Sequence, residues 1–292
     1  LSIPRSGCTY ARSCADDLRM NPAEVDRVLA IAAAAAAVDG VDHLDEAARL
    51  ELEHRPEGVT GVVNENGFVL VTGSVLAMVV RPDRRGHERA RALLARVPGG
   101  VTSAWSHSDH PAARHLAEEY GWRRDRELLR MVRQPDRLDR SSERSDDEAG
   151  TFRTFGRLRA FAPGDEGELL RVNAAAFAHH PEQGGLTLGS LEERMAESWF
   201  DLDDLIELWD GDRLAAFHWV KRQPDGPAEV YVLAVDPAYA GKGLGTVVLE
   251  AGLKRLEGFA VQLYVEADNT KARRLYESAG FVIAEVHAHY VR

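Results

Sequence analysis

The stretch VYVLAVDPAYAGKGLGTVVLEAGL, Val230 to Leu253, constrains the fold more than any other. An apolar, β-branched run ends at Val235, Asp-Pro turns the chain, and Gly241, Gly243 and Gly245 lead straight into an amphipathic helix. A strand that feeds a helix in this way belongs to a sheet with helices packed on it. Glycine lets backbone N–H groups approach a ligand with no Cβ in the way. At a helix N-terminus those groups and the helix dipole favour an anion such as a phosphate, and Lys242 adds a positive charge. A tight strand-to-helix turn with no ligand has the same composition, so the glycines alone do not decide the matter. The turn is not a P-loop, because the Gly-Lys-Ser/Thr ending is absent.

The same order of elements occurs twice. The first half runs through an Ala-rich helix and the helix AARLELEH. Extended runs GVTGVVNENGFVLVTG and SVLAMVV follow, then helix ERARALLARV, strand GVTSAWSH, helix PAARHLAEEY and strand ELLRMVRQ. The second half runs through helices DEGELLRVNAAAF and LEERMAESW and strands DLIELWDGD, RLAAFHWVKRQ and AEVYVLAV. Helix GTVVLEAGLKRL, strand AVQLYVE, helix TKARRLYESAG and strand FVIAEVHAHYVR complete it. Strands are read from β-branched and aromatic enrichment, and Asn66-Gly67 and Asp210-Gly211 are hairpin signals that favour positive φ. The repeat spacing of about 155 to 160 residues is too long for a solenoid and fits duplication of a whole domain. PDRLDRSSERSDDEAG, Pro135 to Gly150, is charged, Ser-rich and poor in large apolar residues, which is a linker composition. The expected division is therefore a first domain over 20–134, a linker over 135–150 and a second domain over 151–292. Residues 1–19 are expected to be a disordered extension, with Met20 a plausible start.

At 292 residues, 45% hydrophobic and 28% charged, the chain reads as a soluble globular protein with room for two domains. A net charge of -11 argues against a general nucleic-acid binder. Cys8 and Cys14 make no disulfide framework, so a cytoplasmic location is the default. The apolar run Val28–Val38 falls short of the ~18 residues of a membrane span and reads as an Ala-rich helix.

Glycine turn, helix, strand and then N-x-x-A-x-x-x-Y-x-x-x-G-F, filled by Asn269, Ala272, Tyr276, Gly280 and Phe281, resembles the GNAT family of acetyltransferases. The resemblance implies two tandem GNAT domains of α/β (α+β) class, each a mixed, mostly antiparallel sheet flanked by helices. It implies acetyl-CoA as cosubstrate. Its contacts would be Leu233, Ala234 and Val235 on the strand, Ala240, Gly241, Lys242, Gly243, Leu244, Gly245 and Thr246 in the turn, and Asn269, Thr270, Lys271, Ala272, Arg273 and Arg274. The family usually has Gln or Arg where Ala240 stands, so one side-chain contact is expected to be missing. The first half aligns through Val80 and Pro82. This puts Glu88 at the position of Gly243 and Ala90 at that of Gly245, and DHPAARHLAEEYGW, Asp109 to Trp122, laid on the stretch that begins at Asn269, puts Ala117 at the position of Tyr276. It is read as a non-catalytic copy, with CoA binding left open.

Acetyl transfer to an amine needs a base for the nucleophile and a proton donor for the departing thiolate. Glu229 is the candidate base, acting through water, and Tyr276 the candidate acid; the bland readings are a strand-edge carboxylate and a core tyrosine. HHPEQGGLT (His179–Thr187) and AAFHWVK (Ala215–Lys221) in a tandem arrangement resemble the mycothiol synthase family. That family acetylates the cysteinyl amine of a cysteine–glucosamine–inositol conjugate. By this resemblance Glu182, Lys221, Glu229 and Tyr264 would line the acceptor site, with Glu46 as a looser match in the first half. The alternatives are a tandem GNAT enzyme for another amine, such as a peptide N-terminus or an aminoglycoside, and a non-enzymatic acyl-CoA sensor. No metal is expected. His179-His180 lacks a third ligand at a useful spacing, and His287 and His289 alternate on one strand face. Neither a Cys nucleophile nor a nucleophile-elbow Ser is found. Arg123, Arg124 and Arg126 read as solvated surface. A monomer without nucleic-acid or membrane partners is expected.

Overall fold

A computed structural model describes residues 19–97, 100–135, 156–222 and 226–292, apart from the side chains of His87, Pro181 and Glu182. The expected disordered extension, save Arg19, and the expected linker, save Pro135, lie outside the described residues, as do Cys8 and Cys14. Arg19 itself forms a β-bridge with Thr60. The chain divides into two compact units, Leu1–Leu128 with Val286–Arg292, and Leu129–Glu285.

In the first unit, helices α1 (Pro22–Asp39) and α2 (Glu46–His54) cover one face of strands β1 (Val59–Asn64), β2 (Gly67–Thr72) and β3 (Val75–Val80). Asn21 caps α1 through a capping box with Glu24, and Gly40 ends it at φ 72. Helix α3 (His87–Leu94) covers the other face, where Leu93 packs with Val69, Val71 and Leu76. Strand β4 (Ser103–Ser106) and helix α4 (Pro111–Glu119) follow. Strands β1 to β3 pair antiparallel, β3 pairs β4 in parallel, and β4 pairs antiparallel with the end of β11 (Val282–Val291). Strand β5 (Arg123–Arg133) begins in this unit and ends in the other.

The second unit repeats this order. Strands β6 (Arg157–Ala160), β7 (Leu205–Asp210), β8 (Arg213–Lys221) and β9 (Ala228–Val235) pair antiparallel in sequence, and β9 pairs β10 (Val261–Glu266) in parallel. Helices α5 (Glu166–Ala176) and α7 (Leu188–Met195) bury Leu169, Val172 and Leu191 against Phe217, Trp219 and Val232. The short α6 (Pro181–Gly184) lies between them in sequence. Helix α8 (Leu244–Arg255) seals the opposite face with Leu244 and Val248, and α9 (Thr270–Ser278) precedes β11. Each unit is thus a mixed, mostly antiparallel sheet with helices on it, as the element order implies. Among the described residues no helix is long and apolar enough to cross a membrane.

Some details depart from the sequence reading. The hairpin signals locate both turns but not their centres. Asn64 pairs Gly67, so Glu65 and Asn66 form the first turn and neither has positive φ. Gly67 is a strand residue, required because a Cβ there would stand 2.0 Å from the Val79 carbonyl oxygen. The second turn centres on Gly211 and Asp212, with Gly211 at φ 61. Strand β6 carried too little apolar alternation to be read. Arg124 and Arg126 are not simply solvated. Arg124 pairs with Asp109 at 3.1 Å and Glu127 at 3.0 Å, and Arg126 lies 5.2 Å from the centre of the Trp105 ring. His287 and His289 are buried, at 3.2 Å from His107 Nδ1 and 2.6 Å from Asp125 respectively.

Helix α8 is seated on β8 by a buried histidine. His218 Nδ1 lies 3.0 Å from the Val248 carbonyl oxygen, and a Cβ on Gly252 would meet that nitrogen at 2.0 Å. Burial holds the imidazole down to a pKa of about 4, from an ordinary 6.5. A depressed folded pKa means that the unfolded chain takes up the proton first as pH falls. The contribution is therefore complete above pH 6.5 and is lost, by roughly 3 kcal/mol, as pH drops towards 4. The melting temperature of the parent chain should fall more steeply across that window than that of His218→Gln; parallel curves would contradict this assignment.

Candidate active site

Strands β9 and β10 are in register at only two places, Ala228 with Val261 and Glu229 with Gln262. Beyond these, β9 runs on to Val235 and β10 to Glu266. On its other edge β9 stays paired with β8 up to Val235 and Ala216. The two parallel strands therefore part after Glu229, leaving one edge of Val230–Val235 open to pair with an extended, amide-bearing ligand. A β-bulge lies at the same point. Trp219 faces Val232 and Val220 faces Val230, so Tyr231 is the extra residue. Lys221 and Trp219 share one face of β8, and the bulge brings their partners Glu229 and Val232 to that face together.

The glycine turn closes the far end of this opening. Gly241 and Gly243 take φ 78 and 77, and a Cβ at either would meet nothing within 4 Å. The left-handed backbone demands glycine, and the space beside it holds no protein atom. Gly243 is the N-cap of α8, and no side chain caps that helix. A Cβ on Gly245 would lie 3.4 Å from Leu275 of α9 and 3.7 Å from Val235 of β9, so strand end, turn and last helix converge there. Asp236 braces the turn. Its carboxylate accepts from the Ala238 N–H at 2.9 Å and from Arg171 Nη1 at 2.6 Å. Burial pushes this carboxyl up, but those two donors outweigh it and the net displacement is downward. Lys242 Nζ sits 4.6 Å from the Tyr239 ring centre. This arrangement suits a diphosphate-bearing ligand with an amide-containing arm.

Helix α9 explains its own sequence. Asn269 is the N-cap, and its side chain accepts from the Ala272 N–H at 3.1 Å. Arg273 donates to the Ala267 carbonyl at 3.0 Å, tying the helix start to the loop after β10. Tyr276 is 8% exposed, with its ring centre 6.0 Å from that of Phe281, and burial pushes its phenol up to about 12.

The acceptor candidates separate into three groups. Glu229, Lys221 and Gln262 are registered neighbours across three strands, and Gln262 Nε2 donates to Glu229 Oε2 at 3.3 Å. Lys221 Nζ lies 4.6 Å from the ring centre of Trp199 and 5.2 Å from that of Tyr231, whose hydroxyl accepts from Arg194 Nε at 2.8 Å. Tyr264 is 41% exposed, two residues beyond Gln262 on the same strand face. Glu182 lies on α6, but its side chain is outside the described residues; its neighbour Gln183 is clamped by buried Asn173, which donates to the Gln183 carbonyl at 2.7 Å. Glu46 belongs to the first unit, at the start of α2. Trp199, Tyr231, Arg194 and Gln262 were not singled out from the sequence. Alternation along VQLYVE sets Gln262 on the face of Tyr264 and is the signal that could have found it; the bulge that recruits Tyr231 has no local sequence signature.

The first unit carries the same parting of strands, with β3 and β4 in register only at Val75–Ser103 and Leu76–Ala104. Its turn is different, and the alignment of Glu88 with Gly243 is corrected by the helix start. The N-cap of α3 is Gly86, only two residues after the 3-10 turn Pro82–Arg84, whereas Gly243 stands four after Pro237–Tyr239. Glu88 thus lies inside the first turn of α3, 3.1 Å from Arg91, with 89% of its side chain exposed. Ala117 does match Tyr276: each is the seventh residue after its N-cap, His110 or Asn269. Ala117 borders an apolar cavity of about 320 Å³ with Leu76, Met78, Leu94 and Trp122.

Among the described residues no group of three or more His, Cys, Asp or Glu side chains could hold a metal.

The acetyltransferase (GNAT) family profile matches residues 177–281. The chain is 43% identical over 285 residues to the mycothiol acetyltransferase of a Nocardioides species, an alignment covering 90% of this chain and 95% of that one. In structure it is similar to a GCN5-related N-acetyltransferase from Sphaerobacter thermophilus, with a TM-score of 0.63, 19% identity and 94% of each chain covered. A tandem GNAT protein from the clavulanic acid biosynthesis pathway gives a TM-score of 0.63 at 16% identity, covering 93% of this chain and 95% of that one. The two solved structures share the fold, while 43% identity over nearly all of both chains, with the family profile over 177–281, shows that the chain belongs to the mycothiol acetyltransferase family of GNAT proteins.

Proposed function

We propose that this chain transfers the acetyl group of acetyl-CoA to the cysteinyl amine of desacetylmycothiol, a cysteine–glucosamine–inositol conjugate, in the last step of mycothiol biosynthesis. The observation that carries the acetyl-CoA half is the parting of β9 from β10 beside the Gly241–Gly245 turn. Acetyl-CoA supplies the acetyl group already activated as a thioester. The open edge of Val230–Val235 pairs with the amides of the pantetheine arm, and a backbone N–H on that edge polarises the thioester carbonyl. The turn from Ala240 to Thr246 receives the diphosphate on its N–H groups. Asn269–Arg274 complete the binding surface through the start of α9.

Glu229 takes the amine proton, through water, from the acceptor bound on the Lys221 face of the sheet. Tyr276 keeps its proton at neutral pH and donates a hydrogen bond to the departing sulfur. Lys221, Glu182 and Tyr264 hold the hydroxyls and charges of the sugar portion. The first unit is non-catalytic: its turn is two residues shorter and Ala117 has no hydroxyl. The test is CoA release from acetyl-CoA with the cysteinyl-glucosaminyl-inositol acceptor beside peptide and aminoglycoside amines. Turnover with that acceptor alone is expected. Turnover confined to another amine would discard the acceptor assignment, and none at all, despite acetyl-CoA binding, would favour a sensor.

A further inference from the structure

Glu229 is held by a chain of hydrogen bonds between residues of four strands, β9, β10, β5 and β11. Gln262 Nε2 donates to Glu229 Oε2 at 3.3 Å, and Gln262 Oε1 accepts from Arg130 Nη1 at 3.3 Å. Arg130 is fixed in turn, because its Nη2 donates to Glu285 Oε1 at 2.7 Å. Arg130 and Glu285 side chains are 21% and 22% exposed, so this pair is partly shielded from water.

The chemistry of the four groups sets the direction of the chain. A guanidinium has only donors and an ionised carboxylate only acceptors. An amide standing between them satisfies both in one orientation alone, with its oxygen towards Arg130 and its NH2 towards Glu229. The positive charge behind the amide polarises it and strengthens the bond it makes in front. A donor aimed at one carboxylate oxygen fixes the side-chain rotamer and favours the charged form, which is the form a base must have.

We propose that Gln262 and Arg130 are positioning residues for Glu229: Arg130 orients the Gln262 amide, and the amide holds the base charged and aimed at the acceptor amine. This rests on the reading of Glu229 as the base. The other charged group registered opposite Glu229 is Lys221 on β8, and Glu285 on β11 sits behind Arg130.

The experiment measures CoA release by the full chain across pH for Gln262→Leu, Arg130→Met, Arg130→Lys and Glu229→Gln, with KM for each substrate. Gln262→Leu should lower kcat about ten- to a hundredfold, the usual worth of a hydrogen bond to a charged group. It should also move the acid limb of the pH profile upwards and leave KM for acetyl-CoA unchanged. Arg130→Met should act in the same direction, and Arg130→Lys, which keeps a donor, should recover part of the loss. If Gln262→Leu and Arg130→Met keep the parent kcat and acid limb while Glu229→Gln loses activity, the inference is wrong and the base stands. A loss of kcat with an unmoved acid limb is a structural effect and also overturns it. If Glu229→Gln keeps full kcat, the reading of Glu229 as base fails, and this inference with it.

Discussion

Tyr276→Phe should lower kcat by about a hundredfold, within the worth of a hydrogen bond to a charged group, and leave KM for acetyl-CoA within about twofold. The substitution removes one oxygen and keeps the ring, whose centre lies 6.0 Å from that of Phe281. The fold and the glycine turn are therefore untouched. With the phenol pushed up to about 12, Tyr276 stays protonated throughout the working range. An ordinary thiol has a pKa of about 8.5, so complete proton transfer from this phenol to a thiolate runs uphill. The contribution proposed for it is therefore a hydrogen bond that strengthens as charge builds on the sulfur. A pH test separates this from a titrating acid. Between pH 6 and about 10 the ratio of parent to variant rates should be constant, because neither form of Tyr276 changes below its pKa of about 12. A ratio that declines towards one above about pH 9 would mean that the phenol loses its proton there, as an unperturbed tyrosine begins to near 10.

Apart from β6 and the short α6, the order of helices and strands in both halves was legible because apolar periodicity and glycine placement are local. The alignment of Ala117 with Tyr276 was legible for the same reason: both helices start on a cap and end on a glycine, Gly121 or Gly280, at positive φ. The Glu88 assignment failed because counting from Pro82 assumes equal turn lengths. Only the backbone shows that α3 begins two residues sooner. Strand pairing is non-local, so neither the parting of β9 from β10 nor the bulge at Tyr231 could be read from one strand alone. The aromatic surround of Lys221 was hidden likewise: Trp199 follows α7, Tyr231 lies on β9, and their rings meet with centres 5.1 Å apart only in the fold. The named site residues came from motif resemblance, and what supports them, Asn173, Asp236, Gln262 and Arg130, came from packing.

Gly243→Val should raise KM for acetyl-CoA about a hundredfold and leave KM for the acceptor unchanged. Two effects add. At φ 77 an L side chain is strained by roughly 1–2 kcal/mol, and a β-branched one by more. The new Cβ also enters space that holds no protein atom within 4 Å, where the proposed diphosphate would approach the N–H groups of α8. The control is Gly258→Val. Gly258 follows the other end of α8, takes φ 85, and likewise has nothing within 4 Å of an added Cβ. Backbone strain is therefore closely matched between the two variants, and only the position differs. Both should lose a similar amount of stability in thermal melts. Only Gly243→Val should weaken acetyl-CoA, measured both as KM and by direct titration of the protein without acceptor. Equal weakening by both substitutions would assign the loss to strain in α8 and remove the turn from the binding site. Weakening by Gly243→Val alone, at matched stability, isolates ligand contact as the reason that this turn is glycine-rich.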